Sequence, residues 1–142
     1  KIIIVRPSLI YGKGAPGNYS LISKLIKSGF PLPFLSIKNS RNFCSIDNIV
    51  SFLSILCRDA YKIHGNYEVF NICDDSPMST LEFIQKVSKI EKETANNFYF
   101  PILLLKISLI LIGKSNIIKS IFNNHLISNE KAKTLTLWKP TN

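Results

Sequence analysis

The chain has 142 residues, of which 46% are hydrophobic and 19% charged, a composition that fits one packed globular domain and excludes a disordered, collagen-like or coiled-coil protein. Eighteen Lys and Arg residues stand against nine Asp and Glu residues, so the net charge of +9 favours an anionic partner: nucleic acid, anionic lipid or a phosphorylated small molecule. The charge does not choose among these partners, because lysines scattered along a chain are more typical of a solvated surface than of a binding patch.

The first part of the chain predicts a buried strand, a loop and a helix. The run KIIIV at Lys1–Val5 is β-branched and does not alternate, which is typical of a strand buried on both faces of a parallel sheet. Asn18 is the expected N-cap of an amphipathic helix that Gly29 ends. The Pro31–Phe34 segment (PLPF) cannot continue a helix and predicts a turn or an extended loop.

The middle of the chain predicts a second strand and helix. Residues Asn42–Ile46 read as a short strand, after which Asp47 is the expected N-cap of an amphipathic helix that continues through Ala60. The apolar positions predicted to face inward on this helix are Ile49, Val50, Leu53 and Leu56.

An alternating strand and a capped helix follow. Residues Tyr67–Ile72 alternate in polarity and predict a strand. Ser79 and Glu82 have the spacing of a capping box. The helix that they begin is predicted to bury Leu81, Ile84 and Val87.

The most apolar stretch of the chain lies near its end. Pro101 suits the first turn of a helix that runs to Gly113. This run of about a dozen residues is shorter than the roughly twenty needed to span a bilayer, and Lys106 lies in its middle. We expect a packed helix rather than one that lies on a membrane, whose polar face should be richer in Lys and Arg.

Neither a metal centre nor a dinucleotide turn is expected. The cysteines Cys44, Cys57 and Cys73 are odd in number and widely spaced, which predicts small buried residues in a reducing, cytoplasmic environment. The triplet Gly12, Gly14 and Gly17 fits G-x-G-x-x-G, but Arg6–Tyr11 separate it from the predicted strand, Pro16 lies inside it and no acidic residue follows about twenty residues later. It therefore predicts a loop with backbone freedom.

A series of short motifs resembles one enzyme family. The segment RPSLIYGKG at Arg6–Gly14 resembles the R-P-x-x-x-Y-G-x-G segment of the extended short-chain dehydrogenases, the NAD-dependent sugar-nucleotide epimerase/dehydratase family. Further matches follow in register: Gly17-Asn18-Tyr19, GFPLPF at 29–34, Arg41-Asn42-Phe43, Asp47-Asn48, Phe70-Asn71-Ile72, Lys131-Ala132 and LWKP at 137–140. The PLPF variant is similar to the branch that acts on UDP-N-acetylhexosamines in surface-polysaccharide synthesis, including 4-epimerases and 4-keto-sugar reductases. Two positions depart from the pattern, Ser128 where Asp is common and Thr136 where Gly is frequent.

The resemblance covers only the C-terminal part of such an enzyme. It implies an α/β fold, the last strands of an extended Rossmann-type sheet with the small mixed α/β substrate-binding subdomain. The glycine-rich turn that holds NAD(P) and the catalytic Tyr-x-x-x-Lys pair lie in the N-terminal part of the family and have no counterpart in residues 1–142. We therefore expect no catalytic residue here, no firm NAD(P) binding by this chain alone, and a homodimer as a possible form of the full-length enzyme.

Five substrate-binding residues are carried over from the family. Arg41 is expected to pair with a UDP diphosphate, because only a guanidinium offers a bidentate fork. Asn18 would donate to phosphate from a helix N-terminus, Pro33 and Phe34 would lie against uracil, and Ser8 would lie near the nicotinamide and the sugar. The structural alternatives remain open: an ordinary surface arginine, a helix cap and a turn packed on the core.

Two other functions remain open. A non-catalytic basic domain that binds nucleic acid would carry clustered Lys and Arg with exposed aromatic residues on one face. A pseudoenzyme domain could instead bind UDP-sugars for regulation. In the enzyme interpretation, Ile2, Ile3 and Ile4 lack the neighbouring strands of a complete sheet, so we expect the isolated chain to aggregate or to need a partner.

Overall fold

The computed structural model describes residues 1–59, 65–113, 118 and 121–141. The chain forms two units, each assembled from separate stretches of sequence. The sheet unit consists of Lys1–Ala15, Asn42–Pro77 and Leu126–Asn142, and the helical unit consists of Pro16–Arg41 and Met78–His125.

The sheet unit contains two pairs of parallel strands. Strand β1 (Ile2–Pro7) pairs with β4 (Tyr67–Ile72), in a register that joins Ile2 to Tyr67 and Pro7 to Ile72. Strand β2 (Leu9–Tyr11), which sequence reasoning missed, pairs with β3 (Phe43–Ser45). The predicted α/β class is confirmed, and β4 has the predicted bounds.

Burial of β1 differs from the prediction. Ile2 is 60% exposed, and Ile3, Ile4 and Val5 are only half-buried. Among the described residues β1 has a strand neighbour only on the side of β4, so its other edge and part of its faces remain uncovered. The β-branched run therefore does form a parallel strand, but the expectation that both faces are buried is wrong.

Helix α2 (Ile46–Asp59) supplies the aromatic centre of the sheet-unit core. Phe52 is fully buried and meets Phe70 and Trp138 edge to face, with ring centroids 5.5 and 5.3 Å apart. The cluster is completed by Cys44, Leu56, Ile72 and Ala132, the last from α5 (Glu130–Thr136).

The predicted inward face of α2 is partly wrong. Leu56 is buried and Ile49 half-buried, but Val50 is 57% and Leu53 43% exposed. The inward direction is set by Phe52, whose large ring fills the space above β4. Ala60, the predicted end of the helix, lies outside the described residues.

Ser45, not Asp47, caps α2. The Ser45 hydroxyl accepts a hydrogen bond from the backbone N–H of Asn48 at 3.1 Å, the usual geometry of an N-cap. Asp47 lies in the first turn, where a carboxylate still favours the positive end of the helix dipole.

A buried carboxylate holds these elements together. Asp74 follows β4 and accepts hydrogen bonds from the Tyr11 hydroxyl at 2.7 Å, the Ser45 N–H at 3.0 Å and the Asn48 amide at 2.6 Å. The side-chain amide of Asn48 in turn donates to the carbonyl of Thr141 and accepts from the N–H of Thr141, both at 2.8 Å. Strands β2 and β3, helix α2 and the C-terminal segment are thereby joined around one charge.

Helices α1 (Asn18–Lys27) and α3 (Thr80–Glu91) of the helical unit are joined by ionic and hydrogen bonds. The Tyr19 hydroxyl donates to Glu91 at 2.7 Å, and Lys27 forms an ion pair with the same carboxylate at 2.6 Å. These partners, Lys27 most strongly and then Tyr19, lower the pKa of Glu91 to about 2.

The predicted ends of these helices are largely confirmed. Ser79 and Glu82 form the expected capping box, in which each residue's side chain accepts from the other's backbone N–H. Gly29, with a positive φ of 67°, follows the last turn of α1. The N-cap of α1 is Gly17 rather than Asn18, and no side chain caps this helix. The backbone turns at Gly17 with φ 71°, which places Asn18 inside the first turn.

Helix α4 (Ile102–Leu111) buries none of its residues. Leu105 and Leu109 on one side are half-buried, while most of its other apolar residues are exposed. It thus packs less deeply than expected. In the described part of the chain, no helix has the length and apolar character needed to cross a bilayer.

We predict that Asp74→Asn destabilises the protein by about 2–4 kcal/mol, because an amide offers one acceptor oxygen where a carboxylate now meets three donors. Urea denaturation at neutral pH measures the loss. Asp47→Asn is the matched control, since Asp47 is exposed on the same unit. Equal effects of the two substitutions would contradict the role assigned to Asp74.

We further predict that Glu91→Gln costs about 1–3 kcal/mol at neutral pH, with Glu93→Gln, an exposed neighbour, as control. Because folding lowers the pKa of Glu91, its contribution is complete above the unfolded pKa of about 4.3 and disappears as the pH falls towards 2. Denaturation curves at several pH values should therefore show that the unfolding free energies of Glu91→Gln and of the unaltered protein converge in acid. A difference that stays constant with pH would refute this assignment.

Candidate functional site

The backbone of Arg41 is held on two sides within the helical unit. Its N–H donates to the carbonyl of Met78 at 3.0 Å, and its carbonyl accepts from the N–H of Met78 at 2.9 Å. The N–H of His125 donates to the carbonyl of Ser40 at 3.0 Å, which forms a parallel bridge on the other side. Arg41 therefore projects its side chain from a fixed backbone.

The guanidinium of Arg41 lacks a counter-charge among the described residues. The side chain is half-buried, and its Nη1 atom is buried without a hydrogen-bond partner. Burial lowers the pKa of Arg41, but a guanidinium stays protonated at physiological pH. A desolvated cation with an unused donor is suited to bind an anion.

Asn39 fixes the segment that leads to Arg41. This buried side chain donates to the Thr80 hydroxyl and to the Ile121 carbonyl, both at 2.9 Å, and accepts from the Thr80 N–H at 2.8 Å. The adjacent Ser40 N–H donates to the side chain of Asn124 at 2.8 Å. Sequence reasoning missed this positioning residue, because its partners lie 41 and 82 positions away and leave no local pattern.

Pro33 and Phe34 lie in the predicted loop. Leu32, which is buried, anchors it through backbone hydrogen bonds to Asn96 at 2.8 Å and Phe98 at 3.0 Å. Pro33 and Phe34 are half-buried next to this anchor. The loop is thus held at its start while part of the Phe34 ring remains accessible.

Asn18 is the exposed first residue of α1. Because no side chain caps this helix, its first N–H groups remain available to an anion at the positive end of the dipole. Asn18 and Arg41 belong to the same unit, and no hydrogen bond between them occurs in the described part of the chain.

Ser8 belongs to the sheet unit, unlike the other four candidates. It connects β1 to β2, and its N–H donates to the carbonyl of Ile72 at 2.9 Å. Its hydroxyl is buried without a hydrogen-bond partner. An orphaned hydroxyl of this kind is available to a ligand group.

The glycine loop between β2 and α1 serves packing. A Cβ added at Gly12 would lie 3.2 Å from the Cβ of Ile46, so glycine is needed for the close approach to α2. Nothing lies within 4 Å of the equivalent position at Gly14 or Gly17. The loop does follow a strand directly, since β2 ends at Tyr11, so the predicted six-residue separation is wrong.

The cysteines and two concave surfaces lie apart from the candidate residues. Burial raises the pKa of Cys44 to about 12 and that of Cys73 to about 11, which keeps both thiols protonated and inert. Cys57 is exposed, contrary to the prediction. Two concavities of about 360 and 550 Å³ on the sheet unit include none of the five candidate residues. No group of three or more potential metal ligands occurs in the residues described.

A curated enzyme is similar in sequence over nearly the whole chain. The chain is 30% identical over 141 residues to a UDP-glucose 4-epimerase of Vibrio cholerae. The match covers 99% of this chain and 42% of that enzyme. No family model matches the chain.

Solved structures with a similar fold include a 4-epimerase and a 4,6-dehydratase of nucleotide sugars. A UDP-glucuronic acid 4-epimerase from Bacillus cereus, solved with NAD, has a TM-score of 0.65 at 21% identity, covering 99% of this chain and 39% of that one. A dTDP-glucose 4,6-dehydratase from Bacillus anthracis, also with NAD, has a TM-score of 0.59 at 17% identity, with 99% and 40% covered. The chain spans about two fifths of the length of these relatives. In sequence the chain is therefore similar to about two fifths of a UDP-glucose 4-epimerase, and in fold to a similar share of solved epimerase and dehydratase structures.

Proposed function

We propose that the chain holds the nucleotide-sugar substrate of an NAD-dependent 4-epimerase or 4-keto-reductase. The observation that carries this proposal is the half-buried Arg41 guanidinium, whose buried Nη1 donor has no partner. In the relatives above, the substrates named are UDP- and dTDP-sugars. A nucleoside diphosphate supplies the paired anionic oxygens that such a guanidinium binds.

The diphosphate is the part of the substrate that Arg41 recognises. Two phosphate oxygens can accept parallel hydrogen bonds from the guanidinium fork, which a lysine ammonium cannot offer in the same geometry. Asn39 and the backbone bridges keep the side chain oriented before the ligand arrives. A pre-oriented donor binds more tightly because little conformational freedom is lost on binding.

Each of the remaining candidate residues has a proposed contact with the substrate. Asn18 and the uncapped N–H groups of α1 donate to a phosphate oxygen. Pro33 and the accessible part of Phe34 provide an apolar surface for uracil. Ser8, with its unused hydroxyl, contacts the sugar near the nicotinamide.

NAD(P) is held by residues outside this chain. The Gly12–Gly17 loop does not fit a dinucleotide, because its first glycine is needed against Ile46 and no acidic residue lies at the position of a ribose partner. The chain also contains no Tyr-x-x-x-Lys pair. Residues 1–142 therefore bind and orient substrate, while hydride and proton transfer require the missing Rossmann half.

The narrower assignment rests on the PLPF loop. Its resemblance to the branch that acts on UDP-N-acetylhexosamines supports the proposal that the substrate is one of these sugars and that the enzyme serves surface-polysaccharide synthesis. We place the enzyme in the cytoplasm in this proposal, because buried reduced cysteines such as Cys44 and Cys73 are stable there. The full-length enzyme is proposed to be a homodimer.

Arg41→Lys is predicted to weaken UDP binding about ten- to a hundredfold, because the charge is kept while the fork is lost. Calorimetry with UDP on the protein expressed from its complete reading frame measures the effect. Arg58→Lys is the control, since Arg58 is exposed on α2 and paired with Asp59 at 2.8 Å. Unchanged affinity in Arg41→Lys would remove the diphosphate role.

The reading frame upstream of Lys1 is predicted to encode a glycine-rich turn and a Tyr-x-x-x-Lys pair. Protein from that complete frame should convert a UDP-sugar, whereas residues 1–142 alone should give no turnover. Adding the separately expressed upstream part is a useful control, because it should restore activity to the fragment. An unrelated upstream sequence, or turnover by the fragment itself, would refute the proposal.

A further inference from the structure

Helix α4 presents an exposed apolar surface on the helical unit. We call this surface the α4 face: Leu103, Leu104, Ile107, Ile110 and Leu111. Leu103 is 70% and Leu111 81% exposed. Contiguous apolar surface of this kind is rarely left in contact with water.

The α4 face is a continuous side of the helix. At 100° per residue, Leu103, Ile107 and Ile110 project within about 60° of one another, and Leu104 and Leu111 widen the same side. Leu105 and Leu109 project to the opposite side, where they are half-buried. The side of α4 that carries Leu105 and Leu109 is thus partly covered by the protein, whereas the α4 face is exposed.

Two exposed aromatic residues precede α4 in the chain. Phe98 and Tyr99 are both exposed, and Phe98 meets Phe100 edge to face at 6.1 Å. Aromatic side chains with one polar group, such as Tyr99, favour the boundary between water and lipid.

Charge favours an anionic occupant for the α4 face. The helical unit has ten basic and three acidic residues, whereas the sheet unit has eight basic and six acidic residues. The helical unit therefore holds seven of the nine net positive charges. Two copies facing each other through this unit would repel, whereas an anionic surface would be attracted.

We propose that the α4 face docks the protein on an anionic lipid surface. The helix is ten residues long, about 15 Å, so it lies along the interface rather than crossing it. Leucine and isoleucine side chains enter the outer acyl region, and the net positive charge of the helical unit attracts it to the anionic headgroups. Lys106 lies in the middle of the helix, and its ammonium lies 5.3 Å from the centroid of the Phe122 ring.

The test is co-sedimentation of the protein from its complete reading frame with phosphatidylcholine vesicles that contain either no phosphatidylglycerol or about 30%. We expect binding only to the anionic vesicles and weaker binding at high salt. The triple substitution Leu103→Gln, Ile107→Gln and Leu111→Gln should reduce the partition coefficient about tenfold or more, because three apolar side chains no longer enter the lipid.

The control substitutes three apolar residues that are exposed elsewhere, Leu21→Gln, Val50→Gln and Leu53→Gln, and should bind like the unaltered protein. Hydrogen exchange on the unaltered protein provides a measurement that does not depend on the variants folding: vesicles should slow exchange in Ile102–Leu111.

Four results would overturn the proposal. The first is no binding to the anionic vesicles, and the second is equal losses in the two triple variants. The third is an oligomer that the α4 substitutions dissociate without lipid, which would assign the face to a second copy. The fourth is slow exchange of α4 in lipid-free protein, which would assign the face to another part of the same chain.

Discussion

The buried carboxylate of Asp74 is the constraint on which the sheet unit depends. A charge that is removed from water must be compensated by donors, and here these come from Tyr11, Ser45 and Asn48. Meeting that requirement brings β2, the end of β3 and the first turn of α2 to one point. Asn48 then extends the network to Thr141, so the C-terminal segment is positioned by the same charge.

In the helical unit, the neutral amide of Asn39 and the ion pair between Lys27 and Glu91 connect the elements. Asn39 satisfies backbone and side-chain groups from α3 and from the segment near Ile121. Glu91 joins α1 to α3 through Tyr19 and Lys27. With these polar groups paired, the Nη1 donor of Arg41 remains buried without a hydrogen-bond partner in the described residues, which is why we propose it as the ligand-binding group of this unit.

The two units differ in their charge, their core and their exposed surfaces. The helical unit carries most of the positive charge, the Arg41 guanidinium and the α4 face, for which we propose anionic partners. The sheet unit carries parallel strands and the aromatic core around Phe52, and its strand β1 has a partner on one side only within the described chain. An incomplete parallel sheet is consistent with a chain that spans about two fifths of its relatives.

The sequence by itself determined the α/β class, strand β4, the Ser79–Glu82 capping box and the family resemblance, because each depends on residues close together in the chain. The sequence also indicated Arg41 as a candidate residue. It did not show that the Nη1 donor of Arg41 is buried without a hydrogen-bond partner among the described residues. Only the tertiary structure decided that Ser45 caps α2, that Phe52 rather than Val50 or Leu53 faces the core, and that α4 stays exposed. The polar networks of Asp74, Asn39 and Asn48 were likewise decided by the tertiary structure, because they join partners 26 to 93 residues apart, and no local pattern records such distances.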